Sequence, residues 1–358
     1  MGRMSAPVPA VSVILPVHDG MPYVEESARS ILTQSFHDFE LVIGDDGSSD
    51  GTGEVVRRLA AEDQRVRVLR RDAPSGLAAS ANWVVSETRA PLVAVAHADD
   101  RSYPNRLSRQ VQILSADRSI QLVGTLWDGI DEEGRKVRPG DYWRLLRRFP
   151  FAPFSHSSIM FRRSAFDRAG GYRPEAEYWE DLDLYFRVAE HGRIVVIPQV
   201  LSTVRHARIS TRLRHNQVRV ENAVDLMFRS TQIYAEGGDH TPLLHGHAPL
   251  AEHRLHPMTF ISCGSTRLWS GRSPRVWHRM RERARLRFNS ASLHALLWVA
   301  WGTLSPKTLR FFLSGLLHLR NALARPFLKN AAYVDWRPRD QAVKRVPGAQ
   351  ASAQNKGR

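Results

Sequence analysis

The stretch Ala94-Val-Ala-His-Ala-Asp-Asp-Arg-Ser-Tyr-Pro-Asn-Arg-Leu107 decides how this chain is read. The apolar run from Pro91 to Ala96 reads as a buried strand, and it stops at a histidine and two adjacent carboxylates, Asp99 and Asp100. Neighbouring carboxylates repel, so holding both ionised takes a cation or several hydrogen-bond donors close by. Two readings are open from these residues alone. One is an aspartate-rich turn leading into a helix that starts near Pro104. The other is a strand end built to hold a cation.

Upstream of it the same pattern recurs. Val11-Ser-Val-Ile-Leu15 is a β-branched run ended by Pro16 and predicts a first strand. Val24, Ala28, Ile31 and Leu32 fall at helical spacing between Tyr23 and Gln34. Phe39-Glu-Leu-Val-Ile43 predicts a second strand, broken by Gly44-Asp-Asp-Gly-Ser-Ser-Asp-Gly51. A helix over Gly53 to Glu62, a third strand over Val66 to Leu69 and a helix over Leu77 to Glu87 precede the fourth strand at Pro91. Strands alternating with helices predict an α/β fold, a parallel sheet with helices on both faces. Such sheets bind ligands where the carboxyl ends of the strands open into loops. His18-Asp19, Asp45-Asp46 and Asp99-Asp100 each close a predicted strand, so the three clusters are expected to meet on one edge. Each alone is compatible with ordinary turn chemistry.

Downstream, Leu122 to Gly124 reads as a strand and Asp131-Glu-Glu-Gly134 as a hairpin turn. His156-Ser-Ser-Ile-Met-Phe161 reads as a strand, followed by a helix that runs through Ala169 and closes at Gly170-Gly171. Glu180, Asp181 and Asp183 open an apolar helix over Leu182 to Ala189. Acidic residues there are favoured by the helix dipole by about 0.3–1 kcal/mol without any further role.

With 42% hydrophobic and 24% charged residues, the composition is that of a folded globular chain. The single cysteine, Cys263, excludes an intramolecular disulfide framework and a multi-cysteine zinc site, and suits a reducing compartment. Met1 to Ala10 lacks the apolar core of a signal peptide, and no apolar run approaches the roughly 20 residues of a membrane span. A cytoplasmic location is expected. Residues 251–358 carry 20 Lys plus Arg against 4 Asp plus Glu, so the net charge of +15 resides in that basic C-terminal third. Its expected partner is a polyanion, either a membrane surface or a nucleic acid.

Taken in order, Val11 to Asp19, Ser30-Ile-Leu-Thr-Gln34, Phe39 to Thr52, Ala98-Asp-Asp100 and Glu180-Asp-Leu-Asp-Leu184 resemble the family 2 glycosyltransferases of GT-A fold. The resemblance covers about residues 10–210. It implies a nucleotide-sugar donor (a UDP-sugar first), a saccharide or lipid-linked acceptor, a Mn²⁺ or Mg²⁺ ion, and transfer with inversion at the sugar carbon. A diphosphate leaving group concentrates negative charge, which a divalent ion held by hard oxygen ligands stabilises as a Lewis acid. The resemblance makes Asp100 the metal ligand and gives Asp99 the same metal or the donor ribose. It places Asp46 at the base edge with Asp45 beside it, and Pro16, Val17, His18 and Asp19 along the base. Asn82 is placed against the donor and His206 at the donor phosphates. Asp181 becomes the base that takes the acceptor proton, with Glu180 orienting it, while Asp183 is left as a helix cap. Two positions depart from the pattern. His97 stands where many relatives carry an extra aspartate, and could ligate, touch a phosphate or pack. His18-Asp19 replaces an aromatic and an asparagine.

The domain expectation is a flexible 1–10, a nucleotide-sugar half over 11–125 and an acceptor half over 126–215. A helical basic region over 216–340 and a disordered tail over 341–358 follow. Ser305-Pro306 starts a helix well, and Leu309, Phe312, Leu313, Leu316 and Leu317 recur at helical spacing after it. With the Arg-dense run from Arg275 to Arg287 and with Trp298 and Trp301, this predicts contact with an anionic membrane through residues 251–330, at the inner face of the cytoplasmic membrane. Helices packed on the domain with a solvated arginine face are the plainer reading. A nucleic-acid-binding protein would leave three acidic strand ends unexplained, so no nucleic acid is expected. A nucleotidyltransferase would need a basic glycine-rich loop where Pro16-Val-His-Asp-Gly-Met-Pro22 has no lysine or arginine. A catalytically inactive scaffold of the same fold is the remaining alternative.

Overall fold

The computed structural model describes residues 7–137, 154–176, 179–205, 241 and 334–336. His206, the tail and nearly all of the basic region, including the expected membrane-contact segment 251–330, lie outside the described residues. β1 (Val11–Val17), α1 (Val24–Leu32), β2 (Phe39–Asp46), α2 (Thr52–Glu62), β3 (Val66–Arg71), α3 (Leu77–Ser86) and β4 (Leu92–Val95) alternate as the periodicity predicts. β5 (Arg101–Ser102), α4 (Arg106–Ala116), β6 (Ile120–Ile130), β7 (Lys136–Val137), β8 (Met160–Arg162), α5 (Arg163–Ala169), α6 (Glu180–Ala189), β9 (Arg193–Arg205) and β10 (Val334–Trp336) follow.

The strands form one sheet in the order β10-β9-β6-β8-β4-β1-β2-β3, with β5 on β9 and β7 on β6. β3, β2, β1 and β4 run parallel, as do β6 and β9, while β8 lies antiparallel between β4 and β6. The sheet is therefore mixed and mostly parallel. Side chains alternate across it. Ile14, Val42, Val93 and Val95 pack under α3, α5 and α6, whereas Val13, Leu15, Leu41, Ile43 and Ala94 pack under α1, α2 and α4. Covering both faces is why these strands read as unbroken apolar runs.

Two elements differ from expectation. His156–Ser158 is a 3-10 turn, and only Met160–Arg162 joins the ladder. Ser158 Oγ donates to the Ser155 carbonyl at 2.7 Å and Ser155 Oγ lies 2.9 Å from Ser157 Oγ, so local side-chain bonds compete with the strand. β6 also runs on past Gly124 to Ile130. A Cβ at Gly124 would lie 2.3 Å from the Phe154 ring, so this glycine marks a close approach inside a strand and not its end.

The chain fills β1, β2 and β3 to one side and then places β4 on the other, which makes the crevice between the β1 and β4 ends the switch point of the sheet. β1 pairs with β4 only as far as Ile14 opposite Val95, and Pro16, with no N–H to offer, sits beyond that point. His18-Asp19 and His97 to Asp100 thus leave the sheet on either side of one opening.

Glu40 on β2 holds the opposite end of the sheet. Its buried carboxylate accepts from Ser12 Oγ at 2.6 Å, Arg67 Nη1 at 2.9 Å, and the Arg89 backbone and side chain at 3.0–3.1 Å. Burial works against its charge, yet these bonds hold its pKa below the ordinary value. Glu40→Ala leaves two arginines and a buried hydroxyl without their acceptor. It should lower unfolding stability at pH 7 by about 3 kcal/mol in urea titration.

Candidate active site

Parallel register sets Val17 opposite Asp45, so the loops after β1 and β2 emerge side by side. They are zipped together. His18 Nδ1 donates to the Asp46 carbonyl at 2.9 Å, the Asp19 N–H donates to Ser48 Oγ at 3.0 Å, and Asp19 Oδ1 accepts from the Ser49 N–H at 2.8 Å. Asp19 adopts a positive φ of 50°, a conformation that aspartate tolerates better than most residues. Asp45 is fully buried, ion-paired with Arg70, and accepts the Ser48 N–H at 2.9 Å. Asp46 accepts the Ser75 N–H at 2.8 Å and Ser75 Oγ at 3.0 Å. Pro16, Val17, His18, Asp19, Asp45 and Asp46 therefore gather on one edge. Within that group Asp45 is committed to Arg70, while Asp46 keeps acceptor capacity. Asn82 binds the Tyr172 backbone with both ends of its amide, at 2.7 and 2.9 Å.

Across the switch point, His97, Asp99 and Asp100 each offer one ligand atom, and these atoms lie within 4.8 Å of one another. Asp99 is exposed and Asp100 is buried. Burial, then the adjacent Asp99 charge, pushes the Asp100 pKa up to about 7, against hydrogen bonds from Ser157 and the Arg205 N–H, the latter at 3.0 Å. A divalent cation relieves that kind of strain, and an oxygen-rich set beside an open crevice suits Mg²⁺ or Mn²⁺. Arg205 organises the loop. Its buried guanidinium donates to the carbonyls of Asp99 at 3.0 Å, Asp131 at 2.9 Å and Glu132 at 3.1 Å, pairs with Glu26, and lies 4.1 Å over the Tyr23 ring. Arg106 lies fully buried nearby, donating to the carbonyls of Val95 and Ser157, and burial lowers its pKa to about 10 despite the Asp100 charge.

The third group sits at the start of α6. Glu180 is buried and Asp181 half-buried, with Asp181 Oδ1 accepting the Leu182 N–H at 2.7 Å. Burial, aided by Asp183, raises the Asp181 pKa to about 6. Asp183 is more than a helix cap. Fully buried, it pairs with Arg187 Nε at 3.1 Å, and Arg187 donates on to the carbonyls of Ala169 and Gly171. Tyr185 stands one turn after Asp181, and its hydroxyl meets His156 Nδ1 at 2.8 Å. The Tyr172 hydroxyl meets His156 Nε2 at 3.1 Å, and the His156 ring packs 5.4 Å from the His97 ring. Both tyrosine hydroxyls have pKa values pushed well up by burial and then by the Asp181 charge. His97, His156, Tyr172 and Tyr185 thus run as one wall from the metal-capable cluster to α6, and the Asp181 charge acts on both tyrosines.

Sequence reasoning missed Arg205, Arg106, His156, Tyr172 and Tyr185 as parts of the site. Only the spacing of Tyr185, four residues after Asp181, carried a local signal.

Known proteins resemble this chain in sequence and in fold. The model of glycosyl transferase family 2 matches residues 12–173. EpsE of Bacillus subtilis (strain 168), a protein named as a glycosyltransferase, is 34% identical over 227 residues, which is 60% of this chain and 80% of EpsE. The hyaluronan synthase of Pasteurella multocida is 26% identical over 188 residues, 52% of this chain but 19% of the synthase. In fold, the chain is similar to the mannosyltransferase PcManGT from Pyrobaculum calidifontis, solved with GDP-Man and Mn²⁺ (TM-score 0.53, 20% identical, covering 90% of this chain and 88% of that one). It is also similar to S. aureus TarS solved with UDP-GlcNAc (TM-score 0.51, 16% identical, 72% and 81%). The fold is that of the GT-A glycosyltransferases, and the protein is an enzyme of that class. The chain belongs to glycosyltransferase family 2.

The Asp100 environment gives a stability prediction with a definite sign. Its folded pKa lies above its unfolded value, so its contribution is favourable below about pH 4 and is lost as pH rises through about 7. Asp100→Asn keeps an acceptor for the Arg205 N–H and removes the charge. At pH 8 and without metal it should raise unfolding stability by roughly 1–2 kcal/mol, a gain that vanishes near pH 4. Thermal melts at both pH values, with and without Mn²⁺ plus UDP, check this. The ligands should stabilise the wild type and not the variant.

Proposed function

We propose that this enzyme transfers a sugar from a nucleoside-diphosphate donor, first a UDP-sugar, to an acceptor hydroxyl with inversion and divalent-metal assistance. The observation that carries the reading is the shared wall. The wall runs from the metal-capable cluster at the switch point to the helix that carries a half-buried carboxylate of raised pKa, which supports one shared site. In this reading Asp181 takes the acceptor hydroxyl proton as the acceptor oxygen bonds to the anomeric carbon. The bond from that carbon to the diphosphate breaks on the opposite side, and its electron pair leaves with the diphosphate. A metal held by Asp100 and Asp99 supplies Lewis-acid stabilisation of the departing charge. Asp46 accepts from the ring N–H of uracil, and the zipped loops of Pro16 to Asp19 line the base. Glu180 keeps Asp181 oriented.

EpsE carries a glycosyltransferase name, and hyaluronan synthase is named for a polysaccharide. These names support assembly of a cell-surface polysaccharide or glycolipid as the setting. PcManGT was solved with GDP-Man and TarS with UDP-GlcNAc, so both nucleotides belong in the test. Among the described residues no helix is long and apolar enough to cross a membrane. In the same reading, residues 251–330 meet an anionic surface through their positive charge. The full chain should sediment with phosphatidylglycerol vesicles at low salt and be released at high salt.

Calorimetric titration with UDP, with and without Mn²⁺, is the direct test. Mn²⁺-dependent binding that disappears in Asp100→Ala supports the donor site. Failure of UDP, GDP and dTDP alike, with and without the ion, sinks the proposal. Asp181→Asn should leave that binding intact and cut turnover about 10²–10⁴-fold. Because the base must be ionised, wild-type turnover should rise with pH to a plateau above about 6. A pH profile flat from 5 to 8 would remove Asp181 from the role.

A further inference from the structure

The residue that breaks the family pattern stands among the metal-capable atoms. We propose that His97 Nδ1 is a third metal ligand beside Asp99 and Asp100, giving a mixed nitrogen–oxygen site that favours Mn²⁺ and similar transition ions over Mg²⁺. The inference rests on the metal-assisted reading above and deepens it by assigning the ion's third ligand and its preference.

Geometry supports it first. His97 Nδ1 lies 3.7 Å from Asp100 Oδ2, and the three donor atoms share a 4.8 Å span. Ligands at about 2.0–2.2 Å from one ion stand roughly 3 Å apart at right angles and about 4.2 Å apart across it. The 3.7 Å separation falls inside that range, and the 4.8 Å span lies just beyond it, so a small side-chain shift brings all three donors onto one ion. Backbone contacts fix the loop, since the His97 carbonyl accepts from Ser27 Oγ at 2.5 Å and from the Asp100 N–H at 3.4 Å. That turn brings the residue three positions earlier back onto the Asp100 carboxylate. The His97 side chain is 31% exposed, so an ion arriving through the crevice can reach it.

The packing supports it second. The His97 ring rests on His156 at 5.4 Å, and both ring nitrogens of His156 are occupied by tyrosine hydroxyls. His156 is thus a fixed backing with no nitrogen left for the ion, which leaves His97 as the imidazole that faces the carboxylates. The chemistry follows from the substitution. An aspartate at this position would make three carboxylates, a hard and triply negative set suited to Mg²⁺. An imidazole makes a doubly negative set with one nitrogen, which suits Mn²⁺, Co²⁺ or Zn²⁺ better.

The test uses the full chain with UDP, or with GDP if that is the nucleotide bound, and reads the bound ion directly. Pulsed electron paramagnetic resonance of bound Mn²⁺ should show nuclear modulation from a coordinated imidazole nitrogen. The modulation should vanish in His97→Ala and in His97→Asp. In calorimetry the wild type should bind the nucleotide at least about 10-fold more tightly with Mn²⁺ than with Mg²⁺, and His97→Asp should bring that ratio close to one. His97→Ala should lose about 10-fold in Mn²⁺-dependent affinity while keeping its metal-free affinity. Metal-dependent binding without nitrogen modulation, or with a ratio indifferent to both substitutions, overturns the ligand role and leaves the metal-assisted reading standing. Nucleotide binding that ignores every divalent ion and survives Asp100→Ala overturns both.

Discussion

Two carboxylates adjacent in sequence have to be held at the mouth of a buried parallel strand, and that electrostatic constraint organises the site. Asp100 is buried beside the Asp99 charge, and the protein answers without neutralising it fully. A backbone N–H and a serine hydroxyl bind the carboxylate, while two buried arginines lie close by. None of these forms the bidentate ion pair that would satisfy a carboxylate completely. The site keeps unmet electrostatic demand for a cation arriving from the crevice, at some cost to the stability of the metal-free chain.

The rest of the site is placed by how each segment is anchored. On one side of the switch point, the loops after β1 and β2 are laced by backbone donors to Ser48 and Thr52 side chains and to Asp19 and Asp50 carboxylates. On the other side, α6 is bolted from below by the buried Asp183–Arg187 pair and its reach to the carbonyls ending α5. Between them stands the aromatic wall. Tyr172 is set by both ends of the Asn82 amide, so a residue of α3 fixes the height of a tyrosine that lies between α5 and α6. Asn82 acts in this structure as a brace between those segments.

The strand-end carboxylates were legible because strand, turn and acid pair are contiguous, and the alternation of strands and helices was legible because both faces of the sheet are covered. Asp181 was legible only through its resemblance to a family motif, since acids at a helix start need no function. Arg205 was not legible as an organiser. It lies 105 positions from Asp100, and its five hydrogen-bond acceptors come from three separate segments. His156 was hidden for a similar reason. The apolar Ile159-Met-Phe161 extended the strand reading back over it, whereas serine hydroxyls bind locally and turn the chain there.

These different origins separate what the family shares from what this chain adds. The switch point, the acid pair and the α6 carboxylates depend on sheet topology and short local motifs, and the proposed reaction rests on them. The contacts around His97 and His156 depend on side chains that meet only in the folded chain. An aspartate replaced by histidine at the mouth of β4 leaves the sheet, Asp100 and Asp181 where they are, and changes only the charge and softness of what faces an incoming ion. On the proposed reading, ion preference is adjusted in this scaffold by a partly exposed ring resting on His156, beside a carboxylate that is buried.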